Sequence, residues 1–136
     1  MVTDSTQCLG NTAPKLVLVS IREQHVWMCE RNEQVYATAA TTGASSHNDG
    51  TPAGSWLVQA KQTNRYLTGP GYREFVHFWL PYSGDFGFHD AQWQTMPFGS
   101  PDYQTLGSHG CVHVPDRAMA WLYDWAQVGT IVTVQH

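Results

Sequence analysis

Residues 108–113 read SHGCVH and place one thiol, Cys111, between the imidazoles of His109 and His113. The glycine before the cysteine lets the backbone bend closely around a substrate, and the N–H groups there can face a developing oxyanion. A thiolate is a strong nucleophile, and a neighbouring imidazole can generate it. This stretch therefore predicts a cysteine that carries out acyl transfer.

A further histidine, His89, ends the run DFGFH at residues 85–89. If this run is a half-buried strand, its two phenylalanines share one face, and Gly87 and His89 share the other. The small residue then leaves room for a ligand beside the imidazole. His89 is the predicted base for Cys111, and a histidine satisfied by local hydrogen bonds is the alternative.

The same residues also permit a metal site. In an extended strand His109, Cys111 and His113 would project from one face, and with His89 they form a nominal four-ligand zinc set. Their spacing does not match the usual structural zinc sites, and the glycine serves no purpose for a metal. The sequence therefore favours covalent catalysis without a metal or cofactor.

The composition fits one globular domain. The chain has 136 residues with 42% hydrophobic side chains, which is enough for one packed core. Its net charge of −4 comes without a basic patch, so nucleic-acid binding is not expected. No apolar run approaches the roughly 20 residues of a membrane span, and no signal peptide is visible. The three cysteines fit one disulfide plus a free thiol, or three reduced thiols.

The pattern along the chain is mainly β. Predicted strands cover residues 15–21, 26–29, 34–42, 55–61, 75–80, 85–89 and 130–134. Pro115 and Asp116 predict the start of one short helix, which Gly129 ends. Residues 62–71 are predicted to be irregular, and residues 90–107 to be a lid or binding loop. The predicted domain spans residues 15–136, behind an irregular lead-in at residues 1–14.

Together these motifs resemble the catalytic domain of the L,D-transpeptidases, the YkuD family, in a single-domain form similar to actinobacterial ones. The family's pattern is a histidine, a spacer, and then Ser/Thr-His-Gly-Cys, a hydrophobic residue and Asn or Arg. The segments TTG at 41–43, TPAGSW at 51–56 and VGTIVTV at 128–134 resemble other parts of the family, so the likeness covers about residues 15–135. The resemblance implies a β-sandwich-like domain of mixed sheets with one short C-terminal helix.

The resemblance also implies a reaction in peptidoglycan biosynthesis, and so a role in cell-wall organisation and cell shape. The family's cysteine attacks the third residue of a tetrapeptide stem and expels D-Ala, and an amine from a second stem completes a 3→3 cross-link. Water in place of the amine would give L,D-carboxypeptidase activity, and carbapenem-type β-lactams acylate the same cysteine. The alternative from another class is a catalytically silent wall-binding domain of this fold.

Carried over by motif, Cys111 is the nucleophile and His89 the general base and acid, while His109 lines the site. The backbone N–H groups around Gly110 and Cys111 would form the oxyanion hole. Ser108 would support the geometry of the motif at the substrate. Tyr72 would be a lid tyrosine near the acyl pocket.

Two positions depart from the family pattern, and both are candidate substrate-binding residues. His113 replaces Asn or Arg, and if protonated it would pair with a carboxylate. Asp90 follows His89, and its carboxylate either orients the imidazole or is an exposed loop acid.

Because the family acts outside the cytoplasmic membrane, the resemblance implies a secreted, periplasmic or wall-associated protein. It also implies a Cys8–Cys29 disulfide, and the missing signal peptide then suggests a trimmed sequence.

Overall fold

The computed structural model describes residues 5–136, which form two stacked β-sheets and two α-helices. The strands are β1 (Leu16–Ser20), β2 (His25–Glu30), β3 (Glu33–Ala39), β4 (Gly54–Leu57), β5 (Gln62–Gly69), β6 (Tyr72–Ser83), β7 (Phe86–His89), β8 (Val112–His113) and β9 (Ile131–Gln135). The α-helices are α1 (Tyr103–Leu106) and α2 (Asp116–Trp125). The predicted mainly β class is thus confirmed.

The first sheet has five strands in the order β3-β2-β1-β9-β4. Strands β1 and β9 are rich in Val, Ile and Leu, which favour extended backbone, and they pair in parallel at the centre. The other three pairings are antiparallel. This sheet forms one wall of the core and holds none of the predicted catalytic residues.

The second sheet carries the candidate site and has the order β5-β6-β7-β8. Strands β5 and β6 form a long antiparallel hairpin. Strands β7 and β8 pair in parallel, with His89 opposite His113. This register brings the histidine of the DFGFH run beside the SHGCVH segment, although about 20 residues separate them in sequence.

Helix α2 packs its apolar side into the core. Asp116 lies in its first turn, where a negative charge favours the helix dipole, and Ala118, Met119 and Leu122 are buried. These side chains join a cluster drawn from both sheets, including Val17, Val19, Val26, Met28, Leu80, Tyr82, Phe88, Val112, Val132 and Val134. The helix predicted from residue 115 onwards is therefore confirmed, although it ends at Trp125, before Gly129.

The prediction for residues 62–71 was wrong. Gln62–Gly69 is a strand, and Pro70 and Gly71 form the turn into β6. Most residues of β5 are polar and exposed, so the strand lacks the alternation by which half-buried strands are recognised. The predicted strand at 55–61 is also shorter, and the segment predicted as a loop at 90–107 contains the short helix α1.

The structure joins Cys8 and Cys29 in a disulfide and leaves Cys111 as a free thiol. The bridge ties a 3-10 turn at Ser5–Cys8 to β2, so the lead-in is not irregular throughout. Residues 1–4 of the lead-in lie outside the described residues. Across residues 5–136, no helix has the length and apolar character needed to cross a bilayer.

Candidate active site

The segment around Cys111 is a tight turn held by Ser108. The Ser108 hydroxyl accepts a hydrogen bond from the Gly110 N–H at 3.0 Å and donates one to the Cys111 carbonyl. Ser108 is buried and bridges to the backbone of Gly43 and Ala44. Its side chain is thus fully engaged in shaping the turn, which fits the predicted geometric role and leaves no free group for substrate.

Gly110 is required at its position for two reasons. Its φ of +126° is in the region that side chains disfavour, and a Cβ there would lie 2.3 Å from the ring of Phe86. The predicted oxyanion hole needs a correction, because the Gly110 N–H is already bound by Ser108. Among the described residues the Cys111 N–H has no hydrogen-bond partner, so it is the donor that remains for an oxyanion.

Thr51 supports the same turn from the loop before β4, and its role was not predicted from the sequence. Its hydroxyl accepts the Gly43 N–H at 2.9 Å and donates to the Gly110 carbonyl at 2.8 Å. The side chain is only 6% exposed. The Thr-Pro motif at residues 51–52 thus fixes the peptide unit that leads into Cys111.

His89 has one ring nitrogen fixed and the other free. Its Nδ1 lies 2.7 Å from the Asp90 carbonyl oxygen, which can only accept, so Nδ1 carries the proton and Nε2 the lone pair. The ring is 1% exposed and packs near Trp79 and Trp93. Burial lowers the pKa of His89 to about 4, although the Asp90 carbonyl opposes this. The resting imidazole is therefore neutral and able to accept a proton.

The expected roles for the Asp90 carboxylate were wrong. The side chain is buried, and its oxygens accept hydrogen bonds from the backbone N–H groups of His77 and Phe78 and pair with the His77 ring. It therefore neither orients His89 nor lies exposed in a loop. These contacts lower the pKa of Asp90 despite burial, so the carboxylate is charged and anchors the end of β7 to β6.

His113 is held by Gln94, a residue that no sequence signal marked. The His113 Nδ1 lies 2.9 Å from the Gln94 Oε1. The other end of the amide donates to the Met96 carbonyl and to the Thr41 hydroxyl. Burial, followed by the charges of His89 and His109, lowers the pKa of His113 well below its usual value. A protonated His113 that pairs with a carboxylate, as expected above, is therefore not the resting state.

His109 lies on the hairpin side of Cys111. Its ring stacks on Tyr72, with centroids 4.0 Å apart and planes 5° from parallel. A Cβ at Gly69 would strike the Tyr72 ring, so this glycine allows the tyrosine to reach the site. Glu74 is next to this pair; burial raises the pKa of its carboxyl, and His109 opposes the effect.

Two cavities meet at these residues. The hairpin cavity, of about 310 Å³, is lined by Cys111, His89, Tyr72 and Trp79, together with Arg65 and other residues of the hairpin. The loop cavity, of about 330 Å³, is lined by Trp93, Gln94, Met96, Leu106 and their neighbours. Glu74, His109 and His113 line both cavities. The Cys111 thiol thus lines one cavity, and His109 and His113, two residues away on either side, also line the second.

The Cys111 thiol is neutral at rest. Burial raises its pKa to about 12, the Gly87 backbone N–H lowers it, and the charges of Glu74 and Asp85 raise it again. The sulfur donates its hydrogen to the Asp85 carbonyl at 3.2 Å. The site therefore holds a thiol and a neutral imidazole rather than a preformed ion pair.

The model of the L,D-transpeptidase catalytic domain family, YkuD, matches residues 14–134. The chain belongs to this family. The match spans nearly the whole domain and includes the cysteine turn, His89 and the Thr-Pro loop, so the resemblance seen in the sequence is confirmed.

Known members share the fold at low sequence identity. The putative L,D-transpeptidase YciB of Bacillus subtilis is 23% identical over an alignment of 113 residues that covers 78% of this chain and 58% of that protein. The catalytic domain of the Enterococcus faecium L,D-transpeptidase is 30% identical, with a TM-score of 0.78 over 88% of this chain and 95% of that one. L,D-transpeptidase 3 of Mycobacterium tuberculosis, solved with a faropenem-derived adduct, shares the fold at 20% identity, with a TM-score of 0.77 over 90% of this chain and 60% of that one. The chain spans little more than half the length of the curated Bacillus relative.

The geometry of this family member differs from the zinc alternative. The turn at Gly110, with its positive φ, breaks the extended strand which that alternative needs. Within residues 5–136, no group of three or more His, Cys, Asp or Glu side chains has the arrangement of a metal site.

Proposed function

We propose that this chain is a peptidoglycan L,D-transpeptidase that uses Cys111 as its nucleophile and His89 as its general base and acid. The observation that carries the proposal is the pairing within one cavity of a free thiol with a neutral imidazole whose Nδ1 is fixed by the Asp90 carbonyl. This arrangement leaves the His89 Nε2 to take the thiol proton. It is the arrangement that cysteine acyl transfer requires.

The first half-reaction follows from these groups. A tetrapeptide stem enters the hairpin cavity, and the sulfur turns from the Asp85 carbonyl towards the carbonyl carbon of the third stem residue. His89 takes the thiol proton as the C–S bond forms, and the Cys111 N–H binds the developing oxyanion. The proton on His89 then passes to the nitrogen of the leaving D-Ala, which leaves a thioester on Cys111.

In the second half-reaction an amine of another stem attacks the thioester and forms the 3→3 cross-link. Attack by water would instead release a tripeptide, which is L,D-carboxypeptidase activity. A tetrapeptide stem, an amine acceptor and no cofactor are therefore the reactants proposed for this chain. Proposed roles in cell-wall organisation and cell shape follow from this reaction.

Two further proposals depend on the site and on the disulfide. We propose that carbapenem-type β-lactams acylate Cys111, since an L,D-transpeptidase of the same fold, LdtMt1, was solved in complex with imipenem, which is a carbapenem. We also propose that the protein acts outside the cytoplasmic membrane, because the Cys8–Cys29 disulfide is of a kind that persists in oxidising compartments.

Product analysis tests the function. The protein is incubated with a purified disaccharide-tetrapeptide, and the products are separated and weighed by mass spectrometry. Release of D-Ala with a cross-linked dimer supports transpeptidation, whereas D-Ala with tripeptide alone indicates the carboxypeptidase. If no D-Ala is released, the silent wall-binding domain becomes the better explanation, and retention of the protein on purified cell walls then tests it.

A further inference from the structure

His113 is the one buried imidazole of the site, among the described residues, that the first half-reaction does not use. It is 6% exposed and projects from β8 directly opposite His89 on β7, with ring centroids 4.7 Å apart. It lines both cavities, whereas Cys111 and His89 line only the hairpin cavity. An amine that arrives through the loop cavity therefore meets His113 on its way to a thioester on Cys111.

The hydrogen bonds of Gln94 fix which nitrogen of His113 carries the proton. The Met96 carbonyl can only accept, so the atom of Gln94 that lies 2.8 Å from it must be the donor Nε2. The Thr41 hydroxyl, 2.9 Å from the same nitrogen, holds the amide in this orientation. The remaining atom, Oε1, faces the His113 Nδ1, which must therefore donate. The His113 Nε2 thus has a lone pair, and no described group forms a hydrogen bond with it.

From this geometry we infer that His113 is the general base of the second half-reaction and accepts the proton of the acceptor amine at its Nε2. The inference rests on the proposed function and assigns Gln94 as the positioning residue that holds the imidazole in its reactive tautomer. His113 is suited to this step because burial keeps the ring neutral, and because the acyl chain occupies the cavity that His89 lines.

The second half-reaction moves one proton by way of His113. A neutral primary amine attacks the thioester carbon, so that a C–N bond forms and one N–H proton passes to the His113 Nε2. The tetrahedral intermediate collapses, the C–S bond breaks, and the sulfur leaves with the bonding electron pair. The proton on His113 then moves to the sulfur, which restores the thiol and the neutral imidazole and leaves an amide product.

The two half-reactions are measured separately in His113→Asn. Acylation is followed by acid-quenched intact mass after mixing with the tetrapeptide stem, and aminolysis by the decay of the acyl-enzyme on addition of acceptor stem. We expect the ratio of the aminolysis rate to the acylation rate to fall by about 10²-fold, the size of a lost general base. Hydroxylamine, which is neutral at pH 7 and attacks thioesters without a base, should discharge the variant's acyl-enzyme at nearly the wild-type rate.

Variants at Gln94 and His47 complete the test. Gln94→Leu removes the acceptor that orients His113 and should lower the same ratio, while Gln94→Glu keeps an acceptor oxygen for the His113 Nδ1 but loses the donor to the Met96 carbonyl, and should restore only part of it. His47→Asn replaces an exposed histidine of the 3-10 turn at Ser45–His47 and should match the wild type in both steps. The two Gln94 variants also decide the role of His113 if His113→Asn does not fold.

The inference is overturned if His113→Asn slows acylation as much as aminolysis, if hydroxylamine discharge slows equally, or if Gln94→Leu leaves the ratio unchanged. Failure of the proposed function has a different signature, because the wild-type protein would then form no acyl-enzyme with the stem at all. That result would overturn the role of His113 together with the function on which it rests.

Discussion

Replacement of Thr51 by valine tests how the fold supports the nucleophile. Valine has nearly the shape of threonine, so Thr51→Val removes the hydroxyl without opening a cavity. The Gly43 N–H and the Gly110 carbonyl, which that hydroxyl satisfies at 2.9 and 2.8 Å, then remain buried without partners. The loss of stability and of acylation rate that we expect therefore comes from these two unpaired groups and not from a cavity or a change of volume.

The size of the expected loss in the free energy of unfolding follows from those two groups. A buried polar group left without its partner costs about 1–3 kcal/mol, and two adjacent groups are not fully additive, so we expect a loss of about 2–4 kcal/mol in the free energy of unfolding. For a domain of this size the melting temperature should fall by about 5–15 °C. The freed Gly110 carbonyl also lets the peptide before Cys111 rotate, which misdirects the one remaining oxyanion donor. Since such a donor contributes about 10²–10³-fold in rate, acylation should slow by at least about tenfold.

Urea unfolding gives the stability, and the rate of acyl-enzyme formation at a temperature where both proteins are folded gives the effect on catalysis. Thr51→Ser is the matched control, because it keeps the hydroxyl and loses only a methyl group. We expect it to stay within about 1.5 kcal/mol of the wild type and to keep most of the acylation rate. Equal stability and equal rates for valine and serine at position 51 would rule out this role of the hydroxyl.

Two further predictions concern the cysteines. Removal of the disulfide in Cys8→Ala/Cys29→Ala should lower the free energy of unfolding by about 3 kcal/mol, since the bridge closes a loop of 21 residues. The folded fraction of this variant should keep its acylation rate. A loss of stability below about 1 kcal/mol in urea unfolding would contradict this. Because the pKa of Cys111 is raised to about 12, the rate of its alkylation by iodoacetamide should rise about tenfold per pH unit from pH 7 to 10. An alkylation rate that is already constant from below pH 7 upwards would instead show a preformed thiolate–imidazolium pair.

The sequence predicted the parts of the site that depend on residue type and local spacing. The bend at Gly110 was expected from the residue type alone, whereas the proposed pairing of Cys111 with His89 rested on the combination of a thiol, nearby imidazoles and the family motif. The start of helix α2 was likewise predicted from Pro115 and Asp116. The bend and the helix start need no knowledge of tertiary contacts, whereas the register of β7 and β8 is what brings the SHGCVH segment beside His89.

Other features of the fold and of the site depend on tertiary contacts and could not be predicted from the sequence. The hairpin strand β5 is mostly exposed and polar, so nothing in its pattern separated it from a loop. Asp90 follows His89 in the sequence, yet its carboxylate accepts hydrogen bonds from the β6 backbone, while its carbonyl accepts one from the His89 ring. Gln94 is an ordinary amide in an irregular segment, and only the register of β7 and β8 brings it to His113.

Trapping of the acyl-enzyme tests most directly whether Cys111 is the nucleophile. Wild-type protein and Cys111→Ala are mixed with the tetrapeptide stem, quenched in acid, weighed intact and then digested to locate the added mass. We expect the wild type to gain the mass of one stem less D-Ala, located on Cys111, and the variant to gain none. An adduct on any other residue, or D-Ala release that persists in Cys111→Ala, would contradict the assignment of Cys111.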